Sequence, residues 1–348
     1  MAGYALRRLD PSLDENQDVV RDAFADFFTN ESPSSVVRDA EPLGHDAALW
    51  RKLAGMGVAS MSLPESAGGD NATLVDLVLV AEEWGRTLAP VPLASQVVAT
   101  RLLAATGAPG AVVSAAAEGD RLVTLAHHPA YAGAAQLVPD AAVAADVIAL
   151  VGDELVLFSA SAPGKHVPNQ GSTPLAWWQP DDAVTRTVLA TGAEATTAHA
   201  TAVGEWKLLT SAALVGMTEA ALRIGVEFAK TRETMGVPIG TLQGVSFPLA
   251  DVAIAVAGTR NFVYQAAWLA DHEPGSRPEL PLMVFDAARR MATHGTTTAA
   301  HVQGGLGFTT EADSSLYFLR AKGWSALVGD TGADLRVIGD RLLSARRG

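Results

Sequence analysis

Apolar positions recur at three- and four-residue steps along most of the chain and switch to short continuous runs only near its middle. Val20, Phe24, Phe27 and Phe28 fall at i, i+4, i+7 and i+8, which is one face of a helix. Ser12-Leu13-Asp14-Glu15 in front of them has the form of a capping box with Ser12 at the cap. A second helix is predicted from about Asp46, carrying Leu49, Leu53 and Met56 and ending at Gly57. Ser62 to Asp70 is too rich in turn formers to be helical throughout. A third helix is predicted over about 73–88, with Leu74, Leu77, Val78, Ala81 and Trp84 inward, until Pro90 and Pro92 break it. A fourth, over about 93–105, ends at Gly107.

Between about 120 and 200 the helical period is lost. Arg121 to Ala126 is a short apolar run. Asp146 to Val151 and Glu154 to Phe158 read as two strands joined at Gly152-Asp153, and Thr185 to Leu189 is a further β-branched run. From about Gly204 the period returns. Helices are predicted over about 205–234, stopped by Gly236 and Pro238, then over 242–271, 281–302 (ended by Gly304-Gly305), 312–327 and 334–345. Long helices with short connections make a bundle. The fold class is therefore mainly α with a small β domain: an N-terminal helical domain over 1–115, a β domain over 116–203 and a C-terminal four-helix bundle over 204–348.

Composition removes several alternatives. The 348 residues include no cysteine, which excludes disulfide frameworks and Cys-ligated zinc or iron–sulfur sites. No metal ligand set is assigned. A net charge of −13 argues against a nucleic-acid partner. Arg7 and Arg8 have no apolar run behind them, so a signal peptide is not expected. No stretch approaches the roughly 18 uninterrupted apolar residues of a spanning helix. The expectation is a cytoplasmic chain with no membrane partner.

Two segments carry candidate chemistry. Thr231 to Gln243 combines a helix end, a Gly/Pro turn and a new helix start, with Arg232 beside the turn. Backbone N–H groups plus a guanidinium could hold a phosphate there; on the residues of this segment alone, an ordinary inter-helix turn with an exposed Arg is the favoured reading. His301 to Glu311 has three glycines in four positions, which lets backbone approach a ligand closely. It follows a helix and is not GxGxxG, so a Rossmann reading fails. Its plainer reading is a helix end followed by a cap at Thr309 or Thr310.

Together these segments resemble the acyl-CoA dehydrogenase family. Leu49 to Gly57, Pro64 to Gly69 and Ala81 to Pro90 look like that family's "LW..LA..G", "PE..GG" and "EE.GR.LAP" stretches. Arg232 through Asp251 looks like its "R..FG.PI..FQ…LAD" helix–turn–helix, and Gln303 through Glu311 like its "HGG.GFT.E" turn. The resemblance covers about three quarters of the chain. It implies three domains, FAD as cofactor and an acyl-CoA substrate, from which a carboxylate takes the α proton and the flavin takes the β hydride. It also implies that Arg232, Met235 and Gln243 touch the FAD of a neighbouring subunit, with His301, Gln303, Gly304 and Gly305 at its pyrophosphate.

Departures from the family pattern shape the expectation further. Met235 stands where the family has Phe, and His301-Val302-Gln303 inverts the usual order. The middle domain is short and lacks the family's "TEP..GSD" loop and "W.I" strand; Trp177-Trp178 is its one aromatic pair and reads as a packing or surface element. After Arg320-Ala321-Lys322, Val328 occupies the position of the usual base, and Asp330 reads as a cap with Thr331. A second location for the base, used by some relatives, falls on Trp206, with Glu205 adjacent. Glu205 is thus the catalytic candidate, but only with the helix start shifted by one residue, and a solvated first-turn carboxylate favouring the helix dipole is the favoured reading of it.

The chain most resembles the short, base-lacking subunit of the heterotetrameric (α2β2) dehydrogenases of actinobacterial steroid degradation. A partner would supply the base and part of the flavin site, and the substrate would be a bulky, steroid-like CoA thioester. Three alternatives stand beside this: a complete homo-oligomeric acyl-CoA dehydrogenase with Glu205 as base, a non-catalytic scaffold subunit, and a flavin monooxygenase on the same fold.

Overall fold

The computed structural model describes residues 12–329 and 331–345. Asp330, expected to cap the last helix, lies outside the described residues. The chain divides into two compact units, one made of residues 1–34, 74–89 and 207–348, the other of 35–73 and 90–206.

The first unit is helical. Helix α1 (Glu15–Glu31) starts two residues later than a cap at Ser12 implies. Asp14, not Ser12, is the N-cap: its carboxylate accepts from the Gln17 N–H, and its own N–H donates to Gln17 Oε1, each at 3.0 Å. Helix α2 (Ser34–Asp39) begins at the unit boundary and helix α3 (Ala47–Ala54) belongs to the second unit. Helix α4 (Leu74–Thr87) returns the chain to the first unit. Its exposed first N–H groups are taken up by Asp271, which accepts from Leu74 N at 2.9 Å and Val75 N at 3.3 Å.

The second unit continues with α5 (Leu93–Ala105) and α6 (Gly110–Ala117). A four-stranded sheet follows in the order β1 (Val123–Leu125), β3 (Asp146–Val151), β4 (Glu154–Ser159), β6 (Thr185–Thr191). Strands β3 and β4 form the expected hairpin, in which Val151 faces Glu154 and Gly152 supplies a φ of +62°. β1 runs parallel to β3. Strands β2 (Gln136–Val138) and β5 (Ala176–Trp178) pair separately, and neither is visible in the sequence periodicity because each is three residues long. Trp178 is buried edge-on to Phe158 at 5.4 Å, while Trp177 faces solvent, so the aromatic pair packs the β core with one ring only. Gln96 of α5 ties helix to sheet: its Oε1 accepts from Val123 N at 2.8 Å and its Nε2 donates to Ala116 O at 2.8 Å.

Helix α7 (Gly192–Thr231) is the main correction to the sequence reading. It begins at Gly192, well before the expected start at Glu205. Residues 192–204 are mostly Gly, Ala and Thr, so no large apolar stripe marks them, although Ala195, His199 and Ala202 are buried at helical spacing. Glu205 is therefore not a first-turn carboxylate. Among the described residues α7 is the one helix long and apolar enough to cross a membrane, and most of that stretch is buried inside the fold. Helices α8 (Gln243–His272), α9 (Leu280–Val302), α10 (Asp313–Ser325) and α11 (Thr331–Ala345) complete the bundle. The N-cap of α10 is Ala312, and Thr309 instead donates its hydroxyl to Leu306 O at 2.9 Å.

Close helix contacts in the first unit occur at glycines. A Cβ on Gly85 would lie 1.9 Å from Ala213 O, and one on Gly216 would lie 1.9 Å from Glu82 O, so α4 and α7 meet backbone to backbone. Beside this crossing Glu82 is buried with two cations. It accepts from Arg86 Nη2 at 3.0 Å, Arg260 Nε at 2.9 Å and the Tyr264 hydroxyl at 3.0 Å. Glu83 and Glu219 complete the charge balance around Arg86. Each charge of this cluster is paired, as the cost of desolvation requires.

Candidate functional site

Two ends of the bundle helices are brought together by packing. A Cβ on Gly295 would meet Thr218 Cγ2 at 2.5 Å, and one on Gly225 would meet Ala299 Cα at 3.2 Å. The register advances along both helices in the same direction, so α7 and α9 run parallel and end on one side of the bundle. At about 1.5 Å per residue, the last contact lies roughly 9 Å from the end of α7 and roughly 4.5 Å from the end of α9. The segment with Arg232, Met235 and Gln243 and the turn with His301, Gln303, Gly304 and Gly305 thus emerge from the same end.

The first of these segments is a hairpin, which the sequence reading missed. Strands β7 (Glu233–Thr234) and β8 (Val237–Pro238) are joined by Met235 (φ +53°) and Gly236 (φ +79°). Two successive left-handed residues form the tight turn that antiparallel strands favour. The turn puts Met235 at its tip, 94% exposed. The Ile239 N–H donates to Arg232 O at 2.8 Å and closes the loop over the end of α7. Arg232 is exposed and its side chain bonds no described residue. Gln243 is exposed in the first turn of α8, whose cap position, Leu242, has no side-chain acceptor for the free N–H groups.

In the second segment Gln303 differs from its neighbours. It is 9% exposed, its Oε1 accepts from the Ser314 hydroxyl at 3.3 Å, and its buried Nε2 has no hydrogen-bond partner. A buried amide N–H₂ without an acceptor is costly. His301, Gly304 and Gly305 are exposed, Gly304 has a φ of +63°, and a Cβ on either glycine would meet nothing within 4 Å. The end of the bundle therefore offers a guanidinium, an amide, free helix N–H groups and open glycine backbone.

The positions considered for a catalytic base look different. Val328 is buried, and valine exchanges no proton. Trp206 is 2% exposed, tilted against the His127 ring at 4.1 Å, and its Nε1 donates to the Ser95 hydroxyl at 3.3 Å. Ser95 in turn donates to Asp140 at 2.5 Å. Burial pushes the Asp140 carboxyl up to about 6, against the opposing hydrogen bond from Ser95. Glu205 is held fork to fork by Arg101, Nε to Oε2 at 2.9 Å and Nη2 to Oε1 at 3.1 Å. Arg101 is the one charged side chain in α5, and that isolation within an apolar helix was the sequence signal for a buried partner. Ser95, Arg101, Asp140, Glu205 and Trp206 all belong to the second unit.

The C-terminal domain of acyl-CoA dehydrogenases matches residues 197–343, and the N-terminal domain of acyl-CoA dehydrogenases matches residues 14–110. Acyl-CoA dehydrogenase FadE27 of Mycobacterium tuberculosis is 32% identical over 341 residues, covering 85% of this chain and 88% of that protein. Acyl-CoA dehydrogenase IpdE2 of the same organism is 29% identical over 324 residues, covering 90% of this chain and 93% of that protein. Among solved structures, the Tcur3481–Tcur3483 steroid ACAD superposes with a TM-score of 0.85 at 26% identity, covering 96% of this chain and 99% of that one. The ChsE4–ChsE5 complex from Mycobacterium tuberculosis gives 0.81 at 26% identity, covering 96% and 99%. The chain belongs to the acyl-CoA dehydrogenase family, oxidoreductases that act on CH–CH bonds.

Proposed function

We propose that this chain is one subunit of an FAD-dependent, heteromeric acyl-CoA dehydrogenase that desaturates a bulky CoA thioester. The observation that carries the reading is the absence of an available carboxylate at either base position: Val328 occupies one, and buried Trp206 the other. Similarity to the Tcur3481–Tcur3483 steroid ACAD and to the ChsE4–ChsE5 complex supports an α2β2 assembly and a steroid-like acyl group. A cytoplasmic location and the three-part division at 1–115, 116–203 and 204–348 belong to the same proposal.

The bundle end fits FAD on its own chemistry. The unsatisfied Gln303 Nε2 lacks an acceptor, Gly304 and Gly305 leave room for close backbone approach, and Arg232 has no anionic partner among the described residues. A pyrophosphate supplies acceptors for all three. FAD, when bound, supplies the hydride acceptor for the β carbon of the substrate. Arg232, Gln243 and Gln303 would hold and orient it, His301 and Met235 would border it, and the partner subunit would provide the carboxylate that removes the α proton.

A complete homomer with Glu205 as base is the rival reading. Both Glu205 oxygens are committed to Arg101, so proton abstraction would first require that pair to open. Co-expression with a second acyl-CoA dehydrogenase-like chain separates the readings. A one-to-one complex with flavin absorbance near 450 nm, and a colourless chain when expressed alone, are the expected outcome. A flavin-loaded homotetramer from this chain alone, with turnover lost in Glu205→Gln, would refute the heteromer. Lack of flavin even with the partner would favour a scaffold role.

A further inference from the structure

Helix α11 is docked largely by polar residues and turns its leucines to solvent. On the docked face, Lys207 Nζ donates to both Asp334 oxygens at 2.7 Å, Ile338 is buried, and Arg341 Nη1 donates to Pro278 O at 2.7 Å. Asp334, Ile338 and Arg341 fall at i, i+4 and i+7, one face of a helix. Leu335, Leu342 and Leu343 fall at i, i+7 and i+8 on an adjacent face, and all three are exposed. Gly339 lies between them, and a Cβ there would meet nothing within 4 Å, so the middle of the stripe is open to a close neighbour. Both anchors lie far from the bundle end that carries Arg232 and Gly304. At about 1.5 Å per residue, Lys207 is roughly 36 Å along α7 from Thr231. Pro278 precedes α9, whose two ends are roughly 33 Å apart.

We propose that this stripe pairs with the same stripe on a second copy of the chain, α11 against α11, antiparallel about a two-fold axis near Gly339. The proposal rests on the heteromer reading above for the presence of two copies. The residue pattern selects a copy over an unlike partner. About such an axis, a residue n positions before Gly339 faces the residue n positions after it. Leu335 then faces the copy's Leu343, and the two Gly339 residues face each other. Arg336 and Asp340, both exposed, share one flank of the stripe. The two-fold axis brings like flanks together, and Arg336 lies only about 3 Å along the helix from the level of the copy's Asp340. That opposite-charge contact occurs twice per pair, which fixes the register. One face of a 15-residue helix, roughly 22 Å by 10 Å, buries well under the about 1,200 Å² of a stable independent interface. The contact therefore joins preformed heterodimers and holds two free chains together only transiently.

The chain has no cysteine, so a single introduced thiol reports on the contact directly. Gly339→Cys, oxidised with copper phenanthroline, is expected to give a covalent dimer of this chain, rapidly in the partner complex and slowly in the concentrated chain alone. A disulfide needs Cα atoms within about 7 Å. Ala333→Cys, exposed on α11 outside the stripe, is expected to give none. Leu342→Asp combined with Leu343→Asp should raise the dissociation constant of α2β2 into heterodimers at least tenfold, read by sedimentation. Flavin per heterodimer and the thermal midpoint of the isolated chain should not change. Asp340→Arg should weaken the tetramer severalfold, and adding Arg336→Asp should restore it, because reversal within one chain compensates only in a self-pair. A Gly339→Cys chain that cross-links only to the unlike subunit or not at all, or a tetramer unmoved by the aspartates, overturns the inference. If the complex is still flavin-loaded, that outcome leaves the proposed function standing. Self-cross-linking of a chain that binds neither an unlike subunit nor flavin does the reverse.

Discussion

Asp140 is a single residue with two adverse features: burial and a left-handed φ of +61°. Its carboxyl, pushed up to about 6, lies above the ordinary carboxylate value near 3.9. The folded state therefore holds this proton more tightly than the unfolded one. Stability from this group is highest below about pH 4, falls as pH rises toward about 6, and stays low above it. Asp140→Asn keeps an acceptor for Ser95, cannot ionise and tolerates a positive φ. It should raise stability at pH 7.5 by on the order of 2 kcal/mol and bring no gain at pH 4. Thermal unfolding across that pH range checks it; an equal effect at both ends would show that ionisation is not the cause. Nothing in the sequence marks Asp140, because its hydrogen-bond partner, Ser95 of α5, lies 45 residues away in the chain.

At the scale of elements, the hydrophobic period located most helices to within a few residues: α3, α4, α5 and α8 begin and end close to their predicted bounds. It failed where the period carries no large side chain, at 192–204, and where an element is too short to have a period, as in β2, β5 and the β7–β8 hairpin. Glycines were legible as breaks but not as contact points. Gly216 sits in the middle of α7, where helix propensity opposes it, and its reason is the Glu82 carbonyl that a Cβ would strike. Gly216→Ala should separate α4 from α7 and leave little folded protein. Gly258→Ala in α8, where a Cβ meets nothing within 4 Å, should gain roughly 0.5–1 kcal/mol. Circular dichroism melts of the two variants make the comparison, and similar midpoints would contradict the packing account.

For the molecule as a whole, the family and the candidate flavin residues were readable because they lie in contiguous motifs, 232–243 and 301–311. In the partner complex, Arg232→Ala is expected to weaken flavin affinity about tenfold, a loss of roughly 1.4 kcal/mol, and so to lower flavin occupancy. The melting point of the isolated chain should not change, since Arg232 bonds no described residue. Flavin absorbance per complex measures the first effect; unchanged occupancy would remove Arg232 from the cofactor site.

The sequence by itself determined the helical class, the small β region and the lack of cysteine, and through the family resemblance it supplied the proposal that Val328 stands at the usual base position. These are local properties, carried by residue type and by spacing along one element. Only the tertiary structure decided that α7 and α9 end side by side, that Gln303 carries a buried amide without an acceptor, and that Glu205 is tied to Arg101. Each of those depends on residues far apart in the chain being packed together. Burial and pairing, which set the chemistry of a charged or polar group, are properties of the packed fold and not of residue order.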